Sequence, residues 1–552
     1  MPTSADTPPS ATIKETLTSI MIAFIMAFVF RGFVIEGYLI PTGSMAPTLL
    51  GKHMRFVGPD TGADFAVGPW DYADAPFNQR PLPTQGTNAF GPINVADPIT
   101  DIRFQGSDVP LSAGDRVFVL KYLMPLFNPE RWDVVVFKNP GTQENYIKRL
   151  IGLPNEQIAL VAGDVFVRPA VRPDGGSERG VEAWEDNSWR IQRKPERVQR
   201  AMFQTLFDSL YTPPSAATLG STYRSPWRAE GEWEGVDTSA TYTQRSPAPA
   251  SLTWRHTERE ITDNVPYNQT RRGLQPTRFP APDIATGLSI RPESSGVHAT
   301  ALLEASGHEF RATFSQDELT LSMRPLPTAE NPDPEWTELD RAPAPRGAMS
   351  PGRVTRVEFW HTDQTLSIYI DGKLVAGGPR RATYELTPAQ RIAAATGRSL
   401  ESLLAQRAAI TNSILGDPSI YRPTKLRWTF EGAPFTLQRV TLKRDIYYQH
   451  NRRQATRAAH PNFPAVLNAD QYFMCGDNSP SSLDSRLWSK SRGSPNPWGT
   501  APDPWISDQI DDTLGVVHRH LLIGKAFVVY FPAPLKDTPL PIPDLGRVRW
   551  IW

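Results

Sequence analysis

Three stretches of the chain carry side chains that could do chemistry. The first is Pro41-Thr42-Gly43-Ser44-Met45-Ala46-Pro47-Thr48. A serine set between a glycine and a proline-bounded turn could present its hydroxyl as a nucleophile, although Gly/Pro turns also use serine for turn chemistry alone. The stretch lacks the Gly-x-Ser-x-Gly pattern, so an α/β-hydrolase elbow does not fit. The second is Tyr146-Ile147-Lys148-Arg149, a lysine inside a strand-like run. Alternation puts Lys148 on the face opposite Ile147 and Arg149. On a core face desolvation would disfavour the ammonium and lower its pKa; on an outer face it would be an ordinary exposed strand lysine. The third runs from Cys475 to Arg486 and gathers Asp477, Asn478, Asp484, Arg486 and several hydroxyls. It reads either as part of a charged site or as a loop of Asx-turns closed by an Asp–Arg pair.

Composition narrows the classes of function. With 552 residues the chain is expected to hold two to four modules, at roughly 100–200 residues each. The 58 basic and 58 acidic side chains cancel, which leaves no electrostatic footprint for nucleic acid. One cysteine excludes a disulfide framework or a cysteine-built metal site within the chain. The nine histidines are scattered and none sits in His-Glu-x-x-His, which disfavours a metalloenzyme, so no metal and no cofactor is expected. The 54 prolines are about twice ordinary usage and favour strands joined by proline-bearing turns over helical bundles.

The elements that must position these groups can be read along the chain. Ile20 to Phe30 is unbroken apolar sequence, and the run from Leu17 to Ile35 is long enough for a membrane span if Arg31 reaches an interface. Lys14 on one side and Arg31 on the other leave its orientation undecided by charge. Residues 51–113 are rich in Gly, Pro, Asp and Asn and read as an irregular excursion. Arg116–Lys121, Asp133–Lys138, Tyr146–Ile151, Gly163–Arg168 and Lys525–Phe531 read as strands. From Pro195 to Tyr211 a stripe of Val198, Met202, Leu206 and Leu210 predicts a helix, and Thr387-Pro388 opens a second one running to about Leu415 with a soft point at Gly397. Further strands are expected over Glu309–Phe314, Glu318–Met323, Arg353–Trp360 and Phe435–Lys443, with a hairpin turning at Asp371-Gly372. That series predicts a β-sandwich, and VEFWHTDQTLSIYIDGKLVAGG resembles the laminin-G or concanavalin-like lectin sandwich, which would give the region a glycan or protein ligand.

Taken in order, PTGSMAPTL after a single apolar span, RWDVVVFKNP, YIKRLIGLPNE and GDNSPSSLDSRLW resemble the bacterial type I signal peptidase family (peptidase family S26). The resemblance implies a mainly β fold: an N-terminal transmembrane helix, an all-β catalytic core in two chain segments, and a β-sandwich-like insertion with some helices. The expected divisions are a cytoplasmic tail (1–13), an anchor (14–36), the first core segment (37–168), the insertion (169–440) and the second core segment (441–552). By the same resemblance Ser44 is the nucleophile and Lys148 the general base, Ser482 orients the lysine amine, and Thr42 helps form an oxyanion hole. Arg149, Asp477, Asp484 and Arg486 are expected to pair structurally around the site, and Met45 to pack at the rim facing the membrane. Substrates would be exported preproteins with Ala-X-Ala-type sites, and the enzyme would sit in the inner membrane with its catalytic domain outside. Ser479 and Ser489 stand where the family often has Arg and Gly. A different class of reading is a membrane-anchored binding protein that uses the peptidase core only as a scaffold.

Overall fold

The valine- and isoleucine-rich runs pair as the alternation requires. In the computed structural model, strands Ile35–Leu39, Arg116–Lys121, Leu522–Phe531, Val134–Lys138, Asn145–Gly152, Gln471–Cys475 and Val517–His518 lie side by side in that order, with Arg549–Trp550 added against Leu522–Phe531. Every pair is antiparallel. The two ends of the chain therefore interleave in one sheet: Leu522–Phe531 lies between Arg116–Lys121 and Val134–Lys138. A second sheet, ordered Arg190–Ile191, Asp164–Pro169, Glu156–Val161 and Ala465–Val466, again joins both halves. The residues described are 9–69, 93–106, 109, 111–121, 128–139, 144–171, 177–218, 221, 223–270, 278–405, 414–448, 456–488, 515–532 and 544–551. Ser489 lies outside them.

The N-terminal helix Pro9–Phe33 begins earlier than the expected anchor. Its segment Ile13–Phe33 spans about 30 Å at 1.5 Å per residue, long and apolar enough to cross a membrane. Met21, Phe24, Phe28 and Phe33 are each more than 60% exposed, so no protein core accounts for them.

The middle of the chain forms the β-sandwich. One sheet runs Trp233–Glu234, Tyr242–Gln244, Phe435–Arg444, Ile284–Pro292, Thr355–Thr362, Thr365–Ile370 and Lys373–Gly377, with Gln204–Asp208 also on Phe435–Arg444. The other runs Trp227–Glu230, Ala250–Trp254, Lys425–Glu431, His298–Ala305, His308–Phe314, Glu318–Pro325 and Thr337–Pro343. Their inner faces share one core containing Trp227, Trp254, Leu288, Phe310, Phe359 and Trp428. The Asp371-Gly372 hairpin forms as expected, both residues at positive φ (48° and 79°), the backbone a two-residue primed turn requires.

Five expectations change. The 51–113 excursion contains strands His53–Val57, Asp64–Val67, Ile93–Ala96, Arg103–Gly106 and Leu111–Ser112 around Met54, Phe56, Val67, Ile93 and Val95. The expected helix from Pro195 ends at Met202, and Gln204–Asp208 is a strand because pairing with Phe435–Arg444 outweighs helical spacing. The helix opened by Thr387, whose side chain and Gln390 form a capping box, stops at Thr396 because Gly397 takes the left-handed conformation. A separate short helix, Leu400–Leu404, follows, and residues 406–413 lie outside the described residues. Met45 is fully buried with Ile40, Leu49, Val117 and Val134, not at a rim. Strand Phe435–Arg444 also runs through position 440, where the insertion was expected to end.

Candidate active site

Gly43–Met45 is a single buried 3-10 turn that follows the extended chain from Ile35–Leu39. Asn478 grips it twice: its backbone N–H donates to the Ser44 carbonyl at 3.0 Å and its Nδ2 to the Gly43 carbonyl at 2.9 Å. Lys148 comes from the central strand Asn145–Gly152, covered on both faces, so Ile147, Lys148 and Arg149 are all buried despite their alternation. Its Nζ donates to Ser44 Oγ at 2.7 Å and to the Ile147 carbonyl at 3.0 Å. Among the described residues no carboxylate forms an ion pair with it. Burial pushes the Lys148 pKa down to about 8, against the opposing pull of Asp484 and Asp477.

The third stretch closes the site from below. Arg149 makes a bidentate pair with Asp477 at 2.8 and 2.6 Å and donates to the Trp132 carbonyl at 2.7 Å, with both charged side chains fully buried. Arg486 pairs with Asp484 at 2.9 and 2.7 Å and donates to Ser479 Oγ at 2.6 Å. Burial would raise the Asp484 carboxyl, but the Arg486 guanidinium and the Gly476 N–H, which donates at 2.9 Å, hold it below the usual carboxylate range. Burial raises the Cys475 thiol well above its ordinary range, which leaves it inert.

Ser44, Lys148, Thr42, Ser482 and both ion pairs are thus gathered in one place, with two details to note. Ser482 is buried beside the Asp484 carboxylate, but its Oγ makes no hydrogen bond of good geometry and none to Lys148. Thr42 is exposed and makes no capping bond to the turn it precedes. A cavity of about 260 Å³ opens over the pair, lined by Pro41, Thr42, Tyr146, Ile147, Leu483 and Tyr267 among others.

Sequence reasoning missed Asn478, Tyr267 and Asn268. Asn478 was visible within the Cys475–Arg486 stretch without a role; nothing local marks the other two, which arrive from the insertion. It also missed a buried charged joint between core and insertion. There Asp164, Asp283 and Asp363 bring one oxygen each within 4.8 Å of one another, Arg391 pairs with Asp164 at 2.8 Å, and Lys194 bridges Asp363 and Asp445 at 2.5 and 2.9 Å. Arg391 and Lys194 offset part of this charge, and burial with the neighbouring carboxylates raises the Asp283 carboxyl well above its usual range.

Gly476 shows how little slack the site has. A Cβ there would fall 2.2 Å from Ser482 Oγ and 2.4 Å from the Ser44 carbonyl oxygen, which is backbone and cannot swing aside. Gly476→Ala is therefore expected to displace the Ser44 turn and cut turnover about 100-fold or more. Steady-state kinetics of the folded variant check this; an unchanged rate would mean that the turn position is not critical.

A family model described as "Signal peptidase, peptidase S26" matches residues 13–64, 99–193 and 362–531, more than half of the chain. Curated relatives include Signal peptidase I of Rickettsia typhi, 28% identical over 163 residues, covering 29% of this chain and 46% of that protein. Another is Signal peptidase I of Buchnera aphidicola subsp. Schizaphis graminum, 27% identical over 144 residues, with 26% and 30% covered. The chain thus matches less than half the length of these relatives. Among solved structures, the carbohydrate binding module CBM66 from Bacillus subtilis overlaps 40% of this chain and 96% of that one, at 9% identity and a TM-score of 0.22.

Proposed function

We propose, from the premise that this chain belongs to the signal peptidase family S26, that it is a membrane-bound serine endopeptidase that removes signal peptides from exported preproteins. The observation that carries this reading is the 2.7 Å contact between Ser44 Oγ and an amine buried without an ion-pair partner among the described residues. A lysine kept near neutrality by desolvation can act where other serine hydrolases use histidine.

Ser44 Oγ attacks the scissile carbonyl carbon while its proton passes to Lys148 Nζ. The negative charge that develops on the carbonyl oxygen is met by the Thr42 hydroxyl and the Ser44 backbone N–H. Lys148 then returns the proton to the leaving amine as the C–N bond breaks, leaving an ester on Ser44. Water attacks that ester with Lys148 taking its proton; as the ester C–O bond breaks Lys148 gives that proton to Ser44 Oγ, the acid product departs, and the serine is restored. By family resemblance Ser482 would orient the amine once substrate is bound. The helix Ile13–Phe33 would hold the site at the bilayer, where a substrate tethered by its own apolar segment is locally concentrated. By family resemblance the N-terminus is cytoplasmic, the catalytic domain lies outside the inner membrane, and the cleavage sites are of Ala-X-Ala type.

The test is incubation of the purified chain in detergent with a preprotein, followed by N-terminal sequencing of the product. A single cut after a small residue, with an acyl adduct on Ser44 trapped by acid quench, is expected. A folded protein that leaves the preprotein intact would sink the reading.

A further inference from the structure

The short turn Pro266–Asn268 leaves the sandwich region and enters the site just described. It is firmly held there. The Tyr267 carbonyl accepts from the Gly68 N–H at 2.7 Å, Thr270 Oγ1 donates to the Gly68 carbonyl at 2.5 Å, and Gln269 brackets Ala96 at 2.7 and 2.9 Å. Asn268 and Asn478 exchange side-chain amide bonds at 2.7 and 2.9 Å. Since Asn478 also holds the Gly43 and Ser44 carbonyls, the turn is tied through one residue to the nucleophile's backbone.

Tyr267 is placed more closely still. Its hydroxyl donates to the Lys52 carbonyl at 2.5 Å, and its ring lies so near Gly43 that a Cβ there would come within 2.0 Å of it. The ring is only 3% exposed, yet it lines two cavities. One is the 260 Å³ cavity over Ser44 and Lys148; the other, about 330 Å³, is bounded by Pro47, Leu50, Phe65, Ile99 and Phe203. The ring is the partition between them.

We propose that Tyr267, supplied by the insertion, is a specificity-determining residue of the peptidase cleft: it closes the depth of the cavity beside Ser44 and limits the substrate side chain next to the scissile bond to a small one. The inference rests on the reading of Ser44 as nucleophile. Size exclusion is effective here because the partition is backed by hydrogen-bonded backbone and cannot give way to a larger side chain as a surface loop would. Removing the ring would merge the two cavities and admit aliphatic bulk.

The experiment compares kcat/KM for preproteins that differ only in Ala or Leu at the residues flanking the cleavage site. The enzymes are wild type, Tyr267→Leu, Tyr267→Ala and Tyr267→Phe, each checked for a cooperative melt. The wild type should prefer Ala, and the Ala-to-Leu ratio should fall about tenfold or more in Tyr267→Leu and Tyr267→Ala. It should hold in Tyr267→Phe, which keeps the ring and loses the hydroxyl with its bond to Lys52. If Tyr267→Ala fails to fold, the Leu and Phe variants carry the comparison. Wild-type cleavage with unaltered ratios in Tyr267→Leu would overturn the inference alone. A ratio that falls as far in Tyr267→Phe would overturn it in favour of the hydroxyl, and no cleavage by folded wild type would remove it together with the peptidase reading.

Discussion

Lys148→Met is expected to abolish cleavage and, at pH 7, to make the protein more stable. The loss of turnover should be about 10⁴-fold and match that of Ser44→Ala, because the two groups act as a unit. The gain in stability follows from the burial that tunes the amine. Its pKa is about 8 in the folded protein against an ordinary 10.5, so between these values the unfolded chain holds more protons and stability rises with pH. Below about pH 8 the folded state carries the whole cost of a desolvated ammonium, about 3 kcal/mol for that gap. Methionine fills a similar volume without a charge, and the two lost hydrogen bonds offset part of the gain. A net gain of about 1–2 kcal/mol is expected at pH 7; it should fall through zero between pH 8 and 10.5 and leave a small loss above that, where only the missing hydrogen bonds count. Melting curves of wild type and variant across this range measure it. In the wild type, kcat/KM should climb with pH and reach half its plateau near 8, the signature of a base that must be neutral. A Lys148→Met protein that still cleaves, or an acid limb far below pH 8, would contradict the assigned role.

What could be read from the sequence followed the range of the interactions involved. Val134–Lys138 and Asn145–Gly152 were legible because strands covered on both faces must be apolar in succession, and Lys148 stood out against that background. The Asp371-Gly372 turn was legible because φ > 0 at two successive residues calls for few residue types. The strands within 51–113 were not, since they are only two to five residues long: His53–Val57 with Asp64–Val67 and Ile93–Ala96 with Arg103–Gly106 are short local hairpins, and Leu111–Ser112 joins through the distant His53–Val57. Gln204–Asp208 kept an apolar spacing that suits a helix and was taken into a sheet by a partner over 200 residues away. The candidate site divides in the same way. Ser44, Lys148, Asp477, Asp484 and Arg486 fall in compact motifs, whereas Tyr267 and Asn268 reach the site only because the insertion folds back onto the Ser44 turn.

That folding back gives the ion pair beneath the site its importance. Asp477→Ala is expected to destabilise the core by about 3–5 kcal/mol, because it leaves the Arg149 guanidinium buried at 0% exposure without its bidentate partner. Burial alone would lower the Arg149 pKa; it is raised instead because Asp477 holds the charge in place. The pair also clamps two strands in register, since Arg149 faces Cys475 across Asn145–Gly152 and Gln471–Cys475, with Asp477 two residues beyond. Removing both charges, as in Arg149→Met with Asp477→Leu, should cost clearly less than either single change, because no uncompensated ion remains. Hydrogen exchange in Asn145–Gly152 and Gln471–Cys475 reads this locally in a chain with several modules. The Asp477→Ala variant should also lose more activity than its folded fraction explains, since Asn478, the next residue, holds the Ser44 carbonyl at 3.0 Å. Equal protection in Asp477→Ala and wild type would show that the strands, not the ion pair, fix the loop that grips Ser44.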